Sequence, residues 1–86
     1  MDKKKHPLVL VKWIDSTGES GWTGWDDVED RQSPMRCETV GWIRHSNKMN
    51  LTVVQSIGLD DGKVTMCDNV MVIPTLAIEE IVVLQK

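Results

Sequence analysis

The chain contains no tyrosine and no phenylalanine, so its aromatic content is four tryptophans. Cysteine is nearly as scarce. Cys37 and Cys67 belong to no Cys-x-x-Cys pair, which excludes a disulfide scaffold and a thiolate zinc cluster and suits a reducing compartment. An excess of positive charge is also missing. Ten Lys and Arg face thirteen Asp and Glu, a net of −3, whereas duplex-nucleic-acid binding draws its affinity from a basic face. No apolar run approaches the ~18 residues of a membrane span. The start, Lys3-Lys4-Lys5 followed by Leu8 to Val11, imitates a signal peptide, but Lys12 breaks the run and no small-x-small site follows. Neither a membrane nor a long duplex is an expected partner.

Enzymatic signatures are absent as well. The sequence holds no GxSxG, HExxH, DxDxDG or Gly-rich phosphate loop, so no catalytic residue, metal or cofactor is expected. Three lysines near the start read as a solvated basic tail over residues 1–6.

What remains, 86 residues with 41% apolar and 27% charged side chains, is one small soluble domain spanning 1–86. Leu8 to Asp15 is β-branched and apolar on both faces, the mark of a strand covered on both sides. Asp15 to Gly21 is a polar, glycine-bearing loop. Thr23 and Asp26 have capping-box spacing, which predicts one or two helical turns over Trp25–Arg31, ended by Ser33-Pro34. From Met35 the pattern alternates: Glu38, Val40, Trp42 and Arg44 against Thr39, Gly41, Ile43 and His45. A Ser46-Asn47-Lys48 turn leads to Leu51, Val53 and Ile57, making a hairpin. Asp60-Asp61-Gly62 predicts a second tight turn into a Val64–Ile73 strand, with a bulge or bend at Asp68-Asn69. Pro74 stops that strand, Pro74 to Ala77 forms a 3₁₀-like turn, and Glu80 to Gln85 is the last strand. Five short strands with one small helix predict an all-β, five-stranded SH3-like or Sm-like barrel, because closure removes apolar edges. The run Ile78, Ile81, Val82, Val83, Leu84 exceeds what one small core needs, which predicts a homo-oligomer.

The tryptophans divide by position. Trp13 and Trp42 lie on strands, where packing is the simplest role. Trp22 and Trp25 sit in a Gly-flanked loop, as a lid over a barrel end or as a stacking surface for a planar ligand. Among the acids between Asp15 and Asp30, Asp26, Asp27, Glu29 and Asp30 suit the positive end of a short helix without invoking metal.

A wider pattern links these segments. Val11-Lys12-Trp13-Ile14-Asp15-Ser16, Gly21-Trp22, Val40-Gly41-Trp42 and Val72-Ile73-Pro74 together resemble a group of very short proteins encoded by tailed bacteriophages. The likeness spans roughly residues 9 to 84. It implies an accessory protein made during infection, working in the host bacterial cytoplasm against host defence.

Three functions then compete. The first is a non-enzymatic, homo-oligomeric sponge for a small nucleotide immune signal, linear or cyclic. The second is a protein–protein inhibitor that blocks a host defence or nucleic-acid-handling enzyme with its acidic loop. The third is a virion structural or assembly part. For the first, the expected ligand site is Trp22 and Trp25 for stacking, with Trp13, Asp15 and Ser16 at the strand end and Arg36, Arg44 and His45 as polar strand residues. A phosphorylated base needs a π-surface and a cation, and arginine meets phosphate bidentately.

Overall fold

In the computed structural model, which describes residues 6–18, 20–28 and 33–86, the β-branched runs become five strands. They are β1 (Leu8–Asp15), β2 (Met35–Ser46), β3 (Asn50–Asp60), β4 (Lys63–Pro74) and β5 (Ile78–Gln85). All neighbours are antiparallel, in the order β4-β3-β2-β1-β5. The chain meanders through four strands and then crosses back, so that β5 lies beside β1.

The turns follow local chemistry. Between β2 and β3, the Asn47 carboxamide oxygen accepts from the Met49 and Asn50 amides at 2.8 Å each. Between β3 and β4, Asp61 and Gly62 both take positive φ, 50° and 77°, the backbone of a two-residue hairpin matched to strand twist. The 3₁₀ turn Thr75–Ala77 follows Pro74, and its first amide donates to Met49 O at 2.9 Å.

One face of the sheet carries the core: Val9 and Val11 from β1, Leu51 and Val53 from β3, Ile73 from β4. Trp13, Ile43, Met71 and Ile78 pack against its margin. Gly41 is buried where β2 passes close to β3. A Cβ there would stand 2.7 Å from Val54 O and 3.3 Å from Val53 Cβ. Only glycine fits that crossing.

Two expectations need correction, and a third is met in part. The helix over Trp25–Arg31 is a 3₁₀ turn, Trp25–Asp27, closed by Asp27 N donating to Gly24 O at 3.0 Å. Gly24 occupies the cap position with no side-chain bond, and Val28 is already extended. Every residue of the turn is exposed, so no tertiary packing offsets the cost of helix nucleation. Residues 29–31 lie outside the described residues.

Of the bulge or bend expected at Asp68-Asn69, the bend forms there and the register shift lies elsewhere. The β3–β4 register is constant from Asn50↔Pro74 to Gly58↔Met66 and shifts only between Gly58 and Leu59, leaving Thr65 as the extra residue. Asn69 nevertheless bends the strand, with φ 56° and its amide held by the Asp68 carboxylate at 2.9 Å.

The other correction concerns closure. The strands form one open sheet, in which β4 and β5 are opposite edges. The β2–β3 ladder covers only Trp42–Ser46 against Leu51–Val54, so β3 beyond Val54 and its β4 partner run on as a two-stranded ribbon. The molecule is accordingly long, 60 × 23 × 20 Å, with a radius of gyration of 17.0 Å. A globular chain of this length has about 12 Å. Its accessible surface is 6989 Å², against about 5,200 Å² for a folded monomer of the same mass.

Candidate functional site

β1 positions the first group of candidate residues. Its alternation sends Val9, Val11 and Trp13 to one face, where the Trp13 ring lies on the margin of the core, and the register shift against β5 between Lys12 and Trp13 leaves Glu79 as the extra residue on β5. Trp13 Nε1 donates to the Thr39 hydroxyl at 3.0 Å, and that hydroxyl in turn faces Met71 Sδ at 3.9 Å. Trp13 is therefore a packing residue with a satisfied polar edge. Asp15 ends the strand, and its carboxylate accepts from the Ser16 amide at 2.8 Å. That bond turns the chain out of the sheet.

The loop that follows returns at Met35, which pairs with Asp15. Its neck is tied by the Thr17 hydroxyl donating to Ser33 O at 3.2 Å. Gly21, with φ 103°, supplies the left-handed backbone the excursion needs. Above this neck Trp22 and Trp25 are 104% and 92% exposed. They cover no part of the sheet. Asp26 and Asp27 follow Trp25, also exposed, and a Cβ on Gly24 would meet Asp27 Oδ2 at 2.6 Å. Glycine thus lets that carboxylate fold back over the turn.

Arg36 is at this same end, opposite Ile14 on β1. Its Nη1 donates to both Glu79 oxygens on β5, at 3.0 and 3.2 Å. The pair is exposed, so water screens it and either partner exchanges readily for another ion.

Arg44 and His45 are elsewhere. They stand eight and nine positions along β2 from Arg36, roughly 26–30 Å at the rise of a strand. The structure gathers Trp13, Asp15, Ser16 and Arg36 at one end of the sheet, the end from which the loop of Trp22 and Trp25 leaves and to which it returns. It leaves Arg44 and His45 at the other end.

Neither of two concavities among the described residues joins the two groups. Near the far end, His6, Trp42, Ile43, Arg44, Val54, Ile57 and Val64 line a cavity of about 10 Å³, enough for one water at most. The His6 ring there donates from Nδ1 to Ile43 O at 2.9 Å, while Pro7 O accepts from Ile43 N at 3.0 Å. His6 is thus anchored to β2, and the basic residues 1–5 of the expected tail lie outside the described residues. An open groove of about 390 Å³ follows the β3–β4 ribbon past Ser56, Gly58, Met66 and Asp68. No cation lines it, which disfavours phosphate.

Two features were not read from the sequence. Glu79 as the partner of Arg36 depends on β5 returning beside β1, for which no local signal exists. The free apolar edge Val70–Ile73 was readable as an uncharged run, yet its exposure depends on the sheet staying open. Among the described residues no His, Cys, Asp or Glu cluster suits a metal, and no helix is long and apolar enough to cross a membrane. No family model, curated protein or solved structure matches the chain.

Proposed function

We propose that the chain is a non-enzymatic binding protein of phage origin that counters host defence in the bacterial cytoplasm, capturing a small nucleotide signal as a homo-oligomer. The observation that carries this reading is the pair of exposed indoles, Trp22 and Trp25, on a neck-tied loop that joins the end of the sheet where Arg36 stands. Solvent-exposed tryptophan is costly to leave idle, and each base stacked on an indole contributes about 1–3 kcal/mol. Arg36, held only by a screened surface pair, is free to exchange Glu79 for a phosphate. Asp15 and Ser16 at the loop base offer acceptors and a hydroxyl for a base edge or ribose. The overall frame is best described as an opened relative of the SH3-like or Sm-like barrel. Support for that comes from the five-strand meander with its last strand returned beside the first.

A second reading draws on a different observation. Asp26 and Asp27, exposed directly after Trp25, make an acidic and aromatic tip of the kind that anchors protein–protein contacts. In that reading the loop blocks a host enzyme, and no nucleotide is involved.

Native mass spectrometry of the protein purified from infected cells separates the two. The sponge reading expects a bound nucleotide, lost in a Trp22→Ala/Trp25→Ala variant and weakened severalfold in Arg36→Ala. If no nucleotide accompanies the wild type and Asp26→Asn/Asp27→Asn abolishes inhibition, the protein-inhibitor reading replaces it. Co-purification with virions would point to an assembly part.

A further inference from the structure

Among the described residues β4 pairs with β3 alone, and its other edge is free. One hydrogen bond fixes which backbone groups that edge offers. Thr75 N donates to Met49 O at 2.9 Å, one step past Asn50↔Pro74 in the same register. Antiparallel ladders alternate between bonded and non-bonded pairs. Leu51·Ile73 and Val53·Met71 are therefore the bonded pairs, and Val70, Val72 and Pro74 turn their backbone groups outward. A second bond agrees. Asn47 N donates to Asn50 O at 3.0 Å, which turns Asn50 and Thr52 toward β2 and leaves Leu51 and Val53 to β4. Pro74, which has no amide, thus stands where one copy needs none.

The free stretch is short and apolar. Pro74 offers only a carbonyl, and Asn69 bends the strand with φ 56°. Between them Val70 and Val72 present both an N–H and a C=O, with side chains 58% and 56% exposed. They share the outer face, since Met71 and Ile73 stand opposite Val53 and Leu51 on the core face. Uncharged edges left unpaired are sites of association. The opposite edge, β5, is protected. Its register against β1 shifts on both sides of residues 80–83, leaving Glu79 and Leu84 as extra residues, and Glu79 and Glu80 add charge. Bulges and charge both keep an edge from pairing.

Resting on the homo-oligomer reading above, we propose that two copies join edge to edge through β4, in an antiparallel ladder with a two-fold axis at Met71. Val70 of each copy faces Val72 of the other, each pair exchanging both its N–H···O=C bonds. Backbone geometry selects this register. An axis on Val72 would set Val70 against Pro74, whose missing amide leaves the Val70 carbonyl without a donor. An axis on Val70 would carry the ladder through the bend at Asn69. An axis between residues would oppose Val72 to Met71, whose groups are already bound to β3. The two-fold stands perpendicular to the sheet, so strand direction and strand order reverse together and both core faces stay on one side. Met71 meets its own copy on the core face, and the valines of both copies cluster on the outer face, where such cross-strand pairs stabilise a ladder. The contact is isologous and closes at two copies, because each copy has one β4 edge to give.

The test is light scattering at fixed protein concentration, with circular dichroism as the check on folding. Wild type runs at twice 9.8 kDa. Val70→Lys/Val72→Lys gathers like charges across the axis and falls to 9.8 kDa with an unchanged spectrum. Val70→Lys/Val72→Glu sets each ammonium against a carboxylate of the second copy and returns to twice 9.8 kDa. An axis on Val70 or Val72 would instead oppose like charges in that variant. Val83→Lys, on the β5 edge, keeps the wild-type mass. Should a double variant unfold, Val72→Pro removes only an outward amide, and it too runs at 9.8 kDa. A wild type at 9.8 kDa overturns the homo-oligomer reading itself. A multiple other than two, an oligomer that survives the paired lysines, dissociation by Val83→Lys, or a Lys/Glu variant that stays monomeric overturns this ladder and leaves oligomerisation standing.

Discussion

Replacing Gly41 with alanine adds one methyl group where β2 passes close to β3. The new carbon would lie 2.7 Å from Val54 O and 3.3 Å from Val53 Cβ. Neither neighbour has a rotamer to escape into. Val54 O is backbone, on a residue paired with Trp42 in the β2–β3 ladder, and Val53 is fully buried in the core. Ordinary contact at 3.4 Å requires β2 and β3 to part by about 0.7 Å, which loosens the ladder and the core together. Overpacking of this kind costs about 1–3 kcal/mol, and the stiffer unfolded chain returns about 0.4–1 kcal/mol. The expected net loss is about 1.3 kcal/mol. For a domain of this size that lowers the melting temperature by about 5–10 °C. The assay is a circular dichroism melt at one fixed protein concentration for all variants. Gly18→Ala is the control, since nothing lies within 4 Å of its Cβ. If Gly41→Ala melts within about 2 °C of that control, the close approach of β2 to β3 is not a feature of the folded protein.

Trp13→Phe keeps the ring on the core margin but removes the indole donor from the buried Thr39 hydroxyl, and urea unfolding should register a loss of about 1–2 kcal/mol. Asn69→Val places a β-branched residue at φ 56° and should cost about 1–2 kcal/mol by the same measurement, while Asn69→Gly stays near wild type. Trp22→Ala/Trp25→Ala removes only exposed rings, so the melting temperature should hold within about 2 °C while nucleotide capture, followed by calorimetry, disappears. Arg36→Ala breaks a screened surface pair and should change stability by less than about 1 kcal/mol in the same melts.

Much of the sheet was legible because its signals are local. Leu8 to Asp15 reads as a strand with its observed bounds, since alternation and the Asp15-Ser16 exit are written within a few residues. Asp61-Gly62 announces its hairpin through the positive φ both residues tolerate. Pro74 stops β4 for want of an amide. The short helix misled for an equally local reason: capping-box spacing is present, but a helix this short forms only against a surface, and the loop offers none. The register shift in β4 shows the same limit. Asp68 and Asn69 are good bend formers, yet where the ladder gains a residue depends on the β3 partner opposite, at Gly58.

What the sequence by itself determined is the set of strands, their turns, their faces and the lone aromatic loop, because each rests on propensity, period and turn chemistry within a short window. Tertiary structure alone decided which ends meet. The return of β5 beside β1 brings Glu79 to Arg36, and the length of β2 carries Arg44 and His45 away from the loop tryptophans. The short β2–β3 ladder lets the β3–β4 ribbon run free, keeping the sheet open and both edges bare. No window of neighbouring residues contains that information, since pairing partners far apart in the chain are chosen by the burial and register of the whole sheet.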